Sequence, residues 1–511
     1  VTDILVALLA ACRATPDAPA LTQGKRTHSY AQLRSRVESV AASLRAMGFL
    51  PGDRVLFSVR PNLDGIALAL GVIAVGGTVV FADPGAGESM FRARAALAAP
   101  RWVAAESLLY LASSRPLRGI ARPRGLELPP YARVVPDARH LYAGRWLPGV
   151  PRTATSLSLL LDGPAAPIEP SVTAEHEALV IFTSGTTAHP RAVVHSRASL
   201  GAGLSGFARH SRLAPGDRLL TDQLMIGIPA LIAGAHWTLP LPGADPGAAP
   251  EKYLAALPAT DALFMVPAAL DALLTLLDEK PQLAPDLTLL LVGGAPVLGP
   301  LLLRARERFP AARILAIYGM TEILPVAIAD ADEKLAFAGP GDFVGEVLPA
   351  VTARIDDDEL VLAGPGLATG YLGDPPLEEL RTGDLARLDG DRLILTGRAK
   401  EMFIRGSTNV YPGLYEPVIA GIPGVADAVM VGVPDAIGDD RIVLAIVPTR
   451  DRPAAPTVEH AIARSVTAAL PSLVDAAVLP DLVVAVAALP RSGRSSKVDR
   501  AAVAALVGPL L

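Results

Sequence analysis

Apolar runs separated by longer helical patterns constrain this chain more than any other feature. RVLFSV (54–59), TVVFAD (78–83), ALVIFTS (178–184), DALFMVP (261–267), LTLLLVGGA (287–295) and RILAIYG (313–319) are continuous in hydrophobicity rather than alternating. A strand of that kind is buried on both faces, which implies parallel sheets covered by helices on either side. The most apolar window, IALALGVIAVGGTVVFA (66–82), fits the scheme as a buried helix, a glycine turn and a buried strand. It is too short and too interrupted to predict a membrane span. In sheets of this class, ligands bind beyond the C-terminal ends of the strands. Polar or glycine-rich turns fall at three such ends: TSGTT (183–187), VGGAP (292–296) and YGMTE (318–322).

The longest of these turns, TSGTTAHPR (183–191), has two readings. Ser, Thr and Gly end strands. They also let backbone and hydroxyl donors converge on anionic oxygens, with Arg191 adding charge. Composition narrows the setting. The chain has 511 residues, enough for more than one domain, and a formal net charge of −5, which gives no basic excess for nucleic acid. A single cysteine, Cys12, excludes a disulfide framework, and the eight histidines show no metal-ligand spacing. The apolar N-terminal stretch carries Asp3 and no basic region, so an amphipathic helix and a cytoplasmic location are expected.

From about residue 342 the style changes to short strands and turns, VGEVLPAVTARIDDDELVLAGPGLATGY, which suggests a distorted β-barrel or sheet. The charged cluster GRAKE (397–401) reads as a junction, followed by a smaller αβ pattern. The expected fold is therefore α/β: a large N-terminal domain, 1–399, of α/β-layered sheets plus a distorted β-barrel, and a small mobile α+β domain, 400–511.

TSGTTAHPR, YGMTE, TGDL, GRAKE and PRSGRSSK, in that order and over nearly the whole chain, resemble the adenylate-forming superfamily of acyl-CoA synthetases, peptide-synthetase adenylation domains and luciferases. The resemblance implies ATP-dependent conversion of a carboxylic acid to an acyl-adenylate with pyrophosphate release. Transfer to a thiol, of CoA or of an acyl carrier protein, would follow. It implies that Thr183, Ser184, Gly185, Thr186, Thr187 and Arg191 hold phosphates, and that Gly293, Gly294, Ala295 and Gly319 line the nucleotide and acyl site. Tyr318 would stack near adenine, Asp384 would accept from the ribose hydroxyls and Arg398 would assist there. Thr321 would contact the α-phosphate, Glu322 would bind Mg²⁺, and Lys497 would meet the charge developing between carboxylate and α-phosphate. Lys400 would be the hinge between domains, and Gly406 would line a thiol tunnel. Each residue has a plainer reading: a helix cap for Glu322, turn chemistry for Asp384 and Gly406, a solvated side chain for Lys497.

The sequence departs from the family pattern in places. Ala188 and Arg191 replace the usual Gly and Lys of the phosphate loop, and Ser492 and Ser496 replace Thr and Gly in the last motif. LMIGIPALIAG (224–234) replaces an aromatic–His site. FMVPAAL (264–270) lacks the Asp that holds an amino-acid ammonium, which favours an apolar acid. SVRPNLDGIALALG, FADPGAGE and YGMTEILPVA are similar to synthetases that close β-hydroxy acids to β-lactones. Intramolecular closure, transfer to another O or N nucleophile, and a catalytically silent nucleotide-binding protein are the alternatives.

Overall fold

The computed structural model describes residues 3–82, 88–114, 128–135, 137–168, 173–182, 191–244, 249–254, 260–398, 401–405, 408–434, 440–449, 456–474, 478–492 and 497–511. They fall into two compact units. The first comprises Val1–Pro242 with Met320–Leu324 and Gly364–Glu378; the second comprises Gly243–Gly319, Pro325–Ala363 and Glu379–Leu511.

In the first unit, three of the expected buried strands, Arg54–Ser58, Thr78–Phe81 and Glu177–Phe182, lie in one sheet with five others, in the order Gly370–Tyr371, Ala192–Ser196, Glu177–Phe182, Thr78–Phe81, Arg54–Ser58, Trp102–Glu106, Arg139–Ala143 and Thr155–Ser156. The ladder is parallel from Glu177–Phe182 onward and antiparallel at the Ala192–Ser196 edge. Successive residues of each strand enter different cores, which is why the runs are continuously apolar. Val55, Val79, Trp102 and Leu179 pack with Tyr30, Val37, Ile66 and Leu70 from helices Tyr30–Ala46 and Leu63–Ala74. Leu56, Val80, Val103 and Val180 pack with Phe91, Tyr110 and Tyr131 on the other face. Each such side chain contributes about 1.5–3 kcal/mol of burial, so the sheet's register is strongly specified. The N-terminal helix, Ile4–Ala14, is capped by Asp3, whose carboxylate accepts from Leu5 N and pairs with Arg197 at 2.8 Å, both side chains nearly buried. Arg197 opens helix Arg197–His210, so this ion pair ties the chain's start to a helix beside the candidate site.

In the second unit, Ala262–Met265, Leu289–Gly293 and Arg313–Met320 pair in parallel. The sheet then continues through Ile323–Asp330, Asp342–Val347, Arg392–Arg398, Leu380–Asp389, Glu359–Ala363 and Thr352–Asp356. The last five are joined by antiparallel pairings, and they take up the segment expected as a distorted barrel only as far as Ala363; its end, GPGLATGY, belongs to the first unit, where Gly370–Tyr371 joins the other sheet. YGMTE differs from its expected form. Tyr318 and Gly319 belong to the strand, and the turn is confined to Thr321 and Glu322 before the next strand starts at Ile323.

The same unit holds a separate small sheet. Val425–Pro434 runs antiparallel to Asp440–Pro448, which runs parallel to Leu482–Ala485. Met430, Leu444 and Ile446 pack with Ile419, Ile462 and Val466 on one face. Val431, Val443 and Ala445 pack with Val503 and Val507 on the other. The boundary expected between 399 and 400 falls on residues outside the described ones. Among the described residues no helix is long and apolar enough to cross a membrane.

Candidate active site

Within the first unit, the Thr321–Glu322 turn is held by three elements. His195, on strand Ala192–Ser196 and buried, places Nε2 at 2.8 Å from the Thr321 carbonyl and Nδ1 at 3.0 Å from the Ser199 hydroxyl. A carbonyl only accepts, so Nε2 carries the proton and Nδ1 accepts from Ser199. Burial lowers the His195 pKa, which keeps the ring neutral and this tautomer in place. Ala368 N donates to the Glu322 carbonyl at 2.7 Å. Tyr371 Oη donates to Glu322 Oε1 at 2.8 Å. Burial and this carboxylate push the Tyr371 pKa up to about 12, so the phenol remains a donor. The Arg191 guanidinium lies over the Tyr371 ring, 3.8 Å from its centre. Helix Arg197–His210 approaches the start of the strand that follows the turn, at Gly203, where an added Cβ would meet the Leu324 carbonyl at 2.6 Å.

A second cluster is built within the other unit. Asp384 and Arg398 face each other in the antiparallel pair Leu380–Asp389 and Arg392–Arg398. Arg398 Nε donates to Asp384 Oδ1 at 2.6 Å, and Tyr318 Oη donates to Oδ2 at 2.6 Å. The Asp384 residue is 2% exposed. Burial and the adjacent carboxylate drive the Tyr318 pKa well above the usual phenol value. Burial acts to lower the Arg398 pKa, but Asp384 and Glu401 outweigh it and raise the net value. Each carboxylate oxygen has two lone pairs, so Asp384 keeps acceptor capacity for two further hydroxyls.

Lys497 is exposed and sits in a short antiparallel pair, Arg491–Ser492 with Lys497–Val498, directly opposite Ser492. Asp499 caps the following helix, Arg500–Val507, through Ala502 N. Arg500 then grips Glu416 with both terminal nitrogens at 2.6 and 2.7 Å, Glu401 through Nε at 2.9 Å, and the Met430 carbonyl. The lysine-bearing hairpin is thereby fixed to Glu401, the residue next to the expected hinge.

Other expected site residues have their own placement. Gly293 ends a central strand where a Cβ would meet the Ile317 carbonyl at 2.9 Å, and Gly294 has φ +85°. Strand packing and turn geometry thus each require glycine there, with Ala295 following on the loop. Thr183, Ser184, Gly185, Thr186, Thr187, Ala188, Lys400, Gly406 and Ser496 lie outside the described residues. The described residues contain no group of three or more side chains arranged as a metal cage. Tyr371, His195 and Arg500 were not assigned to the site from the motifs, because their partners lie far away in sequence: 49 residues for Tyr371, 126 for His195 and 84 for Arg500 to Glu416.

Residues 8–372 match the AMP-binding enzyme family, and residues 415–497 match the AMP-binding enzyme C-terminal domain. The chain belongs to the AMP-binding enzyme family. It is 30% identical over 452 residues to a feruloyl-CoA synthase of an Amycolatopsis species, covering 83% of this chain and 84% of the relative. It is 26% identical over 451 residues to the long-chain-fatty-acid–CoA ligase FadD13 of Mycobacterium tuberculosis, covering 80% of each. In fold it resembles the amide bond synthetase McbA of Marinactinospora thermotolerans, with a TM-score of 0.77 at 24% identity, covering 98% of this chain and 99% of that one. The α/β architecture with a smaller C-terminal part and the AMP-forming ligase class expected from the motifs both stand.

Proposed function

We propose that this AMP-binding enzyme activates an apolar carboxylic acid with ATP and passes the acyl group to a thiol. A carboxylate oxygen attacks the α-phosphorus and pyrophosphate leaves. The thiol sulfur then attacks the acyl carbon, AMP leaves, and the thiol proton goes to solvent. The observation that carries this reading is Asp384, a buried carboxylate steadied by Tyr318 and Arg398 yet retaining lone pairs, which suits the paired hydroxyls of a ribose. Tyr318 offers the adenine a flat face, Thr321 contacts the α-phosphate, and Thr183, Ser184, Gly185, Thr186, Thr187 and Arg191 grip the outer phosphates. Gly319, Gly294 and Ala295 leave room for nucleotide and acyl group, and Gly293 lets the strand beneath them pack closely against Ile317. Lys497 delivers charge to the attacking carboxylate and α-phosphate, a contribution by electrostatic positioning.

Glu322 suits a nucleotide-borne Mg²⁺, since such an ion takes one or two protein carboxylates and fills its other positions with phosphate oxygens and waters. When bound, the ion neutralises phosphate charge. The small part beyond 400 swings at Lys400 to exchange the lysine for a thiol channel at Gly406, and Lys400→Pro is expected to spare adenylation and block thioester formation.

Apolar acids are favoured over amino acids. Helix Leu224–Ile232 buries Ile226, Ile228 and Leu231, and Phe264 and Met265 are buried. Asp271, the first acid after that stretch, is paired with Arg304. The feruloyl-CoA synthase and FadD13 relatives support aryl and long-chain acids with CoA as acceptor. The test is pyrophosphate release across aryl and aliphatic acids, with and without CoA. Release with CoA thioester formation is expected. Release without CoA consumption, giving a product lighter by water, identifies β-lactone closure instead. No release with any acid overturns the proposal.

A further inference from the structure

We infer that Tyr371 is a positioning residue for Glu322, fixing one carboxylate oxygen so that the other faces the metal–nucleotide complex. The inference rests on the reading of Glu322 as the Mg²⁺ ligand. His195 and Ala368 hold the turn by its backbone carbonyls, whereas the Tyr371 hydroxyl reaches the Glu322 side chain itself. A glutamate is a long side chain, and ordering it on binding weakens binding. A hydroxyl already bonded to Oε1 removes part of that ordering. It also leaves the carboxylate to present a single oxygen, the mode used by an ion that shares its shell with phosphates and waters.

The tyrosine is itself well anchored. Gly370–Tyr371 is the edge strand of its sheet and pairs with Ala192–Ser196, Tyr371 lying opposite Val193. Thr369 donates both its N–H and its hydroxyl to the Val194 carbonyl, each at 2.9 Å, and Leu372 N donates to Ala192 O at 2.8 Å. Arg191 lies two residues before Val193 and so on the same side of the strand, diagonal to Tyr371. Its guanidinium carbon lies over the ring, 3.8 Å from the centre, and a planar guanidinium covers an aromatic face in a way that a lysine ammonium does not. The arginine found where the family usually has lysine is thereby accounted for. It braces the ring that braces the carboxylate, and it directly follows the hydroxyl-rich segment.

The test uses the full-length enzyme with Tyr371→Phe, which keeps the ring and removes one oxygen, and with Glu322→Gln as the comparison. Binding of Mn²⁺ in the presence of a non-hydrolysable ATP analogue is titrated by electron paramagnetic resonance, and the Mg²⁺ dependence of pyrophosphate release is measured in parallel. Binding of the analogue in EDTA and thermal melting serve as controls. Loss of one hydrogen bond to a charged group predicts a metal constant weakened about tenfold for Tyr371→Phe, with analogue binding in EDTA within about twofold of wild type. Raising Mg²⁺ should restore most of the lost rate. If Glu322→Gln weakens Mn²⁺ binding while Tyr371→Phe does not, the positioning role is wrong and the metal ligand stands. If Tyr371→Phe weakens analogue binding equally with and without metal, the tyrosine is merely structural and the inference fails. If Glu322→Gln leaves Mn²⁺ binding unchanged, the metal assignment falls and takes this inference with it.

Discussion

Replacing Asp384 by Asn keeps the side chain's shape and removes its charge. The magnitudes separate two effects. Arg398, the residue paired with Asp384, has a half-exposed side chain, so losing their attraction costs the fold only about 1 kcal/mol. A ribose hydroxyl bonded to a buried carboxylate is worth about 1.5–3 kcal/mol, which is roughly ten- to hundredfold in binding. The variant should therefore fold and lose mainly its ability to recognise the sugar. The assay compares ATP with 2′-deoxy- and 3′-deoxy-ATP in acid-dependent pyrophosphate release. Wild type should discriminate against each deoxy nucleotide by about tenfold or more in kcat/KM, and Asp384→Asn should reduce that to about twofold. Measuring a ratio within each protein cancels general loss of activity. If Asp384→Asn discriminates as strongly as wild type, the carboxylate does not read the ribose, and the structural pairing with Tyr318 and Arg398 is its whole role.

Further outcomes follow from the same geometry. Lys497→Ala should abolish most adenylation while leaving ATP-analogue binding nearly intact; unchanged acid-dependent pyrophosphate release would remove Lys497 from the reaction. Arg500→Leu strands the Glu416 and Glu401 carboxylates and should cost about 3 kcal/mol, read as a lowered melting temperature, whereas Arg500→Lys should lose less because it retains the charge. Burial lowers the His195 pKa below 6.5, so the unfolded chain binds the extra proton first and stability falls as pH drops below that value. His195→Gln should therefore narrow the difference in melting temperature between about pH 7.5 and about pH 5.5; an unchanged difference would mean that His195 is not kept neutral by its site. Gly203→Val should displace the Leu324 carbonyl and weaken metal-dependent nucleotide binding without altering the Asp384 discrimination ratio.

The strands were legible because their burial is two-sided. Val55 and Leu56, or Val79 and Val80, enter opposite cores, and only continuous hydrophobicity satisfies both. The Asp384 cluster was legible in part: TGDL, GRAKE and YGMTE named the three residues, and strand pairing supplied their contact. The contacts around Glu322 were not legible. Nothing near Tyr371 or His195 in the chain signals that hairpin register and sheet edge deliver them to one turn. Nor does the sequence show that Met320–Leu324 and Gly364–Glu378 consolidate with Val1–Pro242 rather than with their own neighbours, because that grouping arises from contacts such as Gly203 with Leu324 and Thr369 with Val194.

Oxygen tracing tests the central chemistry most directly. With an accepted apolar acid labelled with ¹⁸O in its carboxylate, mass spectrometry of the nucleotide product should find a single labelled oxygen in the AMP phosphate, carried there when the thiol displaces it from the acyl carbon. Unlabelled AMP, or ADP bearing no label beside a labelled inorganic phosphate, would mean that the carboxylate never bonded to the α-phosphorus.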